Sequence, residues 1–281
     1  MRPRTRVPAL AAGVMVLLSP APAGALSPAP ETGACSLENA VPATVAAVDE
    51  AFELLLDDGR RAAIAGLEFP APAAAGAVDR RAAAHGRLSG WLVGRDVFIR
   101  AFAAGPDRWG RVPAAVFAAQ RDEAAAPIVS VAAALLEEGA ARFRPDPPAS
   151  PCAAAYRAAE ATAREPGRGL WADRDARPVP AGEGAGPSLL QRKGMVILEG
   201  KINSVGESRG AIYLNFGEKR AETASIMVLR RNLAMLQASG IDPAGLVGRR
   251  VRVRGLIETG FGPRIEVSTP AEIEVIEGPA P

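Results

Sequence analysis

Histidine occurs once in this chain, cysteine twice, and aromatic side chains make up only 5% of the residues. The lone His85 has no cysteine or second histidine at ligand spacing, which excludes a zinc centre built from those residues and leaves it as a surface side chain. Two cysteines are too few for a disulfide-rich scaffold. Lysine is scarce as well, and arginine carries most of the positive charge. Ala, Gly, Pro and Arg dominate in a way that reads as coding bias, so alanine richness is not by itself a sign of helix. Beyond the first residues no stretch is apolar enough for the roughly 20 residues that cross a bilayer.

What is present begins with a basic start (Arg2, Arg4, Arg6), an apolar centre (Val7 to Leu18) and the small residues Ala23-Gly24-Ala25. This order predicts a cleaved signal peptide over residues 1–25, a periplasmic or secreted protein, and no membrane span once the signal is removed. Cleavage takes three of the 33 basic residues away and leaves 30 against 31 acidic ones. The mature chain is then near neutral, and the sequence pI of 8.8 is no signature of nucleic-acid binding. In an oxidising compartment Cys35 and Cys152 are expected to pair. A lipidated Cys35 is disfavoured because Glu31-Thr32-Gly33-Ala34 lacks the apolar residue such a site wants.

Five segments follow from pattern: the signal at 1–25, a Pro-rich lead at 26–40, a first domain at 41–172, a polar linker at 173–192 and a second domain at 193–277. In the first domain, Ala43 to Ile64 reads as a hairpin turning at Asp57-Asp58-Gly59, with Leu54, Leu56, Ile64 and Leu67 facing the core. A helix is expected over Asp79 to Trp91, strands over Val97 to Phe102 and Val112 to Ala118, and a helix over Ile128 to Glu138 stopped by Gly139. Ser150-Pro151 reads as the start of a last helix ending near Arg164. The second domain shows strand-like runs at Met195 to Val205, Ala211 to Phe216, Ala224 to Val228, Arg249 to Ile257 and Arg264 to Val267, with a helix at Arg230 to Ser239. Five short strands and one helix suit a small OB-like barrel. The fold class expected for the whole is α+β.

Several short motifs give the first domain a resemblance. Asp107-Arg108-Trp109-Gly110-Arg111, Leu135-Leu136-Glu137-Glu138-Gly139-Ala140-Ala141-Arg142 and Gly167-Arg168-Gly169-Leu170-Trp171 occur in this order, after Asp58-Gly59-Arg60 through Gly66-Leu67-Glu68-Phe69-Pro70. Together they make residues 41–172 resemble the thermonuclease (staphylococcal nuclease-like) family, and the second domain is similar to OB-type domains appended to such proteins. The resemblance implies an OB barrel with packed helices and phosphodiester cleavage. The family performs it with Ca²⁺ on two aspartates, a glutamate that handles water and two arginines. Hard Ca²⁺ wants several oxygen ligands, and charge growing on phosphoryl oxygens wants fixed guanidinium donors.

The present chain departs from that pattern. The first metal aspartate falls on Phe52, one arginine on Ala63, the second metal aspartate on Glu68 and the glutamate on Ala71. Arg111 alone keeps its family identity, either as a phosphate contact or as a structural partner of Asp107. Glu68 and Arg111 are thus remnants of a catalytic set. The expectation is a degenerate, non-catalytic binding or structural module with no metal site and no cofactor, an enzyme only under an alternative. That alternative is an active Ca²⁺-dependent nuclease in which a shifted alignment brings in Glu50 or Glu53. A third reading is a protein-interaction scaffold.

In the second domain Arg250, Arg252 and Arg254 alternate with Val251 and Val253 and so share one strand face. They form either a phosphate track or a solvated face balanced by nearby glutamates; residues 193–281 carry twelve basic against ten acidic side chains. Tyr213 is the candidate for base stacking, while Phe216 falls on the core side. The partners considered are single-stranded nucleic acid, through Arg250, Arg252, Arg254 and Tyr213, and another protein.

Overall fold

The computed structural model describes residues 35–73, 77–120, 126–219, 222–260 and 262–276. The expected signal peptide and most of the Pro-rich lead lie outside the described residues. Among the described residues no helix is long and apolar enough to cross a membrane.

The first ring of strands comprises β1 (Val41–Val48), β2 (Glu53–Leu56), β3 (Arg61–Ile64), β5 (Asp96–Ala101) and β6 (Arg111–Ala119), with β7 (Ile128–Ser130) added on β6 and the two-residue β4 (Leu67–Glu68), after β3, outside this sheet. β2 and β3 form the expected hairpin, with Gly59 at φ 83° in its turn, a backbone region that glycine enters without steric cost. β1 pairs with β2 and β5, β5 with β6, and β6 runs parallel to β3, which closes the ring. A register shift in β1 between Val45 and Ala47 supplies the bend such closure needs. The helix α1 (Arg80–Leu92), capped by Asp79, connects β3 and β4 to β5. Its Leu88, Trp91 and Leu92 are buried in the same core as Leu54, Leu56, Ile64 and Leu67.

After β7 come α2 (Val131–Glu138), β8 (Arg142–Phe143) and α3 (Ala153–Arg164). Two expectations need correction here. Ile128 to Ser130 is a strand on β6, not the first turn of the helix, because the Ser130 hydroxyl caps the Ala133 amide and starts the helix only there. Ser150-Pro151 does not open α3 either. Both lie inside a 3-10 turn, Pro147–Cys152, which Asp146 caps by accepting from the Ala149 amide.

Gly139 ends α2 in the left-handed region, and its carbonyl accepts from the Leu170 amide at 2.9 Å. A side chain on Gly169 would sit 2.3 Å from that carbonyl oxygen, so the two glycine-bearing motifs are small because they touch.

A second ring follows β9 (Val179–Pro180) and the short α4 (Gly186–Leu189). It contains β10 (Met195–Lys201), β11 (Ser204–Glu207), β12 (Ala211–Asn215), β13 (Ser225–Leu229), α5 (Arg230–Ala238), β14 (Arg250–Glu258), β15 (Arg264–Val267) and β16 (Ile273–Val275). The pairing path runs β11-β12-β13-β15-β14-β10. It begins and ends on the single segment Met195–Glu207, whose two halves are β10 and β11. β13 and β15 are parallel, as β3 and β6 are in the first ring, and in both rings a helix follows the third strand. The two halves therefore repeat one strand order without visible sequence similarity.

Residues 173–192 are structured more than their composition suggests. β9 adds to β10 in parallel, and Ala181 and Leu189 are fully buried in the second core. Between the rings, Ala163, Leu170 and Trp171 pack on Ile197 of β10. Ala271, just before β16, belongs to the first core. Cys35 and Cys152, both buried, are joined in a disulfide with their Cα atoms 5.4 Å apart.

Candidate functional site

At one end of the first ring the chain turns from β1 into β2 through Asp49-Glu50-Ala51-Phe52. One Asp49 carboxylate oxygen accepts from the amides of Ala51 and Glu53, both at 2.9 Å, and holds the turn. Phe52 sits at φ 65° and is 3% exposed. Its ring stacks on Phe69 with centroids 3.7 Å apart and planes within 6°, and the edge of His85 approaches at 5.5 Å. The Arg81 guanidinium lies 4.7 Å over the Phe52 ring while donating to the carbonyls of Pro70 and Glu50. The place given to the first metal aspartate is thus an aromatic plug with a cation already seated on it. A half-buried His85 Nε2 stands 3.1 Å from the Asp49 carbonyl, so this side chain helps pack the plug instead of standing free on the surface.

Beside the plug runs a chain of ion pairs. Arg111 donates twice to Asp107, at 2.9 and 2.7 Å, and reaches the buried Glu53 at 3.3 Å. Glu53 also pairs with Arg61, which in turn donates to Asp49 at 3.1 Å. The hydrogen bonds from Arg111 bring the Asp107 carboxyl down to about 2, and the Asp107 partner raises Arg111 in return. Asp107 further accepts from the Trp109 and Arg111 amides, so it closes its own loop. Trp109 is 57% exposed between Arg108 and Arg111. Arg111 is therefore held by two carboxylates, Asp107 and Glu53.

Glu68, the other remnant, is engaged elsewhere. It sits opposite Arg142 in the β4–β8 pair and accepts from it at 3.0 and 2.6 Å. Arg142 also reaches the Met195 carbonyl of the second ring. Among the described residues Glu68 and Arg111 belong to separate networks. Ala63 faces Pro113 in register, and Ala71 is exposed. Among the described residues no group of three or more His, Cys, Asp or Glu side chains is placed to hold a metal ion.

The strand face on β14 grades from solvent to interior. The Arg250 side chain is 59% exposed, that of Arg252 13% and that of Arg254 2%. Arg250 and Arg252 both pair with Glu199 opposite, and Arg252 with Glu274 of β16. Arg254 runs beneath α3, where it donates to both oxygens of the fully buried Glu160 at 3.1 and 2.9 Å and to the Phe143 carbonyl. The three guanidinium groups do share a face, as alternation requires. That face is covered by the first ring at one end, so they do not line one solvent-exposed track. Tyr213 is half-buried on the outer side of β12, and Phe216 is in the core.

Asp49, Arg61 and Glu160 escaped the sequence reading, and Glu53 entered it only as an alternative ligand under a shifted alignment. Glu160 alone left a signal: it shares α3 with the buried Tyr156, Ala159 and Ala163, and a carboxylate on an apolar helix face calls for a cation opposite.

A ring-closed barrel with packed helices defines the fold class of the first half. Residues 81–173 match the family model of the staphylococcal nuclease homologues, so this stretch is a staphylococcal nuclease-like domain. No curated protein matches the chain.

Proposed function

We propose that the protein is an exported, non-catalytic binding or structural module built on a nuclease-type fold, with an OB-like second barrel bracing the first. The stack of Phe52 on Phe69 carries this reading. Ca²⁺ takes about six to eight oxygens, and two apolar rings in van der Waals contact offer none. Glu68 and Arg111, which could have served phosphoryl chemistry, are both neutralised by protein partners. Export is supported by the basic, apolar and small-residue order of positions 1–25 and by a disulfide that an oxidising compartment preserves.

The partner we favour is another protein, because the arginines of β14 are matched by Glu199, Glu274 and Glu160 and leave little charge for a phosphate backbone. Calcium titration calorimetry on the disulfide-bonded protein tests the occluded site. No saturable heat is expected at millimolar Ca²⁺; saturable binding that is lost in Glu68→Ala or Asp49→Ala would overturn the proposal. Single-stranded DNA titrated at low and high salt tests the partner. Strong binding that falls steeply with salt and is lost in Arg250→Ala would favour nucleic acid instead.

A further inference from the structure

Between α3 and the end of the second barrel lies an open cleft of about 440 Å³. Ala154, Ile241 and Ile273 give it apolar walls, Ser150 and Ser239 add hydroxyl groups, and Arg157 is the one charged side chain in the lining. Clefts of this size suit small organic ligands.

Arg157 is unlike the other arginines of the seam. It is half-buried, and its Nε is shut off from solvent with no hydrogen-bond partner among the described residues. Burial pushes its pKa down, with Glu274 pulling the other way, yet a guanidinium keeps its proton at neutral pH. The nearby carboxylates are already committed. Glu160 serves Arg254, Arg164 and the Phe143 amide, and Glu274 serves Arg252. Arg157, Arg164, Arg252 and Arg254 thus share Glu160, Glu274 and a Glu199 that Arg250 also uses. These five arginines outnumber the three glutamates they share, and of the five only Arg157 lines the cleft. A partly desolvated cation without an acceptor is costly, and an anion placed against it removes that cost.

We propose that this cleft binds a small organic carboxylate with an apolar body, the carboxylate pairing with Arg157 and the body lying against Ala154, Ile241 and Ile273. A carboxylate matches the fork of a single guanidinium. A phosphate dianion would want more donors than one arginine and two hydroxyls supply, and the apolar walls would leave its remaining oxygens unpaired.

The test uses hexanoate and its uncharged isostere hexanamide as probes, titrated into isotopically labelled, disulfide-bonded protein and followed by amide chemical shifts. Hexanoate is expected to shift the Ala154 and Ile241 amides saturably, with hexanamide at least about tenfold weaker. That ratio corresponds to about 1.4 kcal/mol for the charge. Arg157→Met should abolish the preference for the acid. Should that variant fail to fold, Ala154→Met, at an exposed position on α3, should block hexanoate by filling the cleft. Equal affinity for acid and amide, no saturable shift with hexanoate, or an Ala154→Met or Arg157→Met protein that binds hexanoate as the parent does would each overturn the proposal.

Discussion

Phe52 and Arg254 show how the identity of one side chain decides what a familiar position can do. Phe52 is buried against Phe69 and His85, so truncation removes both apolar burial and a ring stack. Phe52→Ala should destabilise the fold by about 3–5 kcal/mol, as large-to-small changes at buried aromatics do. A denaturant midpoint unchanged from the parent would show that the plug is not part of the core. Arg254 and Glu160 are a buried pair, and removing one partner leaves an uncompensated charge. Arg254→Ala should cost about 3–5 kcal/mol, whereas Arg250→Ala, on the solvent end of the same strand, should cost less than about 1 kcal/mol. Equal effects of the two substitutions in urea denaturation would place Arg254 at the surface. At this scale the proposed loss of ligands is read from the resemblance, which sets Phe52, Ala63 and Ala71, side chains that cannot bind Ca²⁺, donate to phosphate or take a proton, at the family's functional positions. The sequence does not show where Arg254 points, because alternation places side chains on a face without saying what covers that face.

Among the elements, those with a clear period were the legible ones. Val251 and Val253 alternating with arginines predict β14, and Leu54, Leu56, Ile64 and Leu67 are all buried as expected. β7, with three residues, is too short to display a period of two and takes its strand form from pairing with β6. Residues 173–192 look like a linker because single apolar residues, Ala181 and Leu189, carry their packing with no periodic pattern.

The loop from Asp107 to Arg111 gives an element-scale prediction. Its carboxyl titrates near 2 in the folded protein against an ordinary 3.8, chiefly through hydrogen bonds from Arg111. A depressed folded value means stability that is present above about pH 4 and lost as the pH falls toward 2. Asp107→Asn should therefore flatten the fall of the urea midpoint between pH 4 and pH 2 relative to the parent. Parallel pH profiles for the two proteins would show that the loop contributes nothing to acid sensitivity.

Across the whole molecule, two rings of the same strand order are locked by the Arg254–Glu160 pair, the Ile197–Trp171 contact and Ala271. The disulfide ties Cys35 to the turn before α3 across 117 residues. Closing so long a loop restricts the unfolded chain by about 4–5 kcal/mol at most. The Cys35→Ser, Cys152→Ser double variant should unfold at lower denaturant by a comparable amount, and an unchanged midpoint would show that the bond adds no stability.

The central proposal is that this nuclease-type fold carries no nuclease chemistry. Loss of a single electrostatic donor costs an enzyme about 2.7–4 kcal/mol of catalysis, and the resemblance sets Phe52, Ala71 and Ala63 at a metal, the base and one arginine position. The measurement that tests it most directly is cleavage of DNA and RNA by the purified, disulfide-bonded protein with Ca²⁺ and with chelator. The account predicts no Ca²⁺-stimulated cleavage above a mock preparation; Ca²⁺-dependent cleavage that disappears in Arg111→Ala or Glu68→Ala would contradict it.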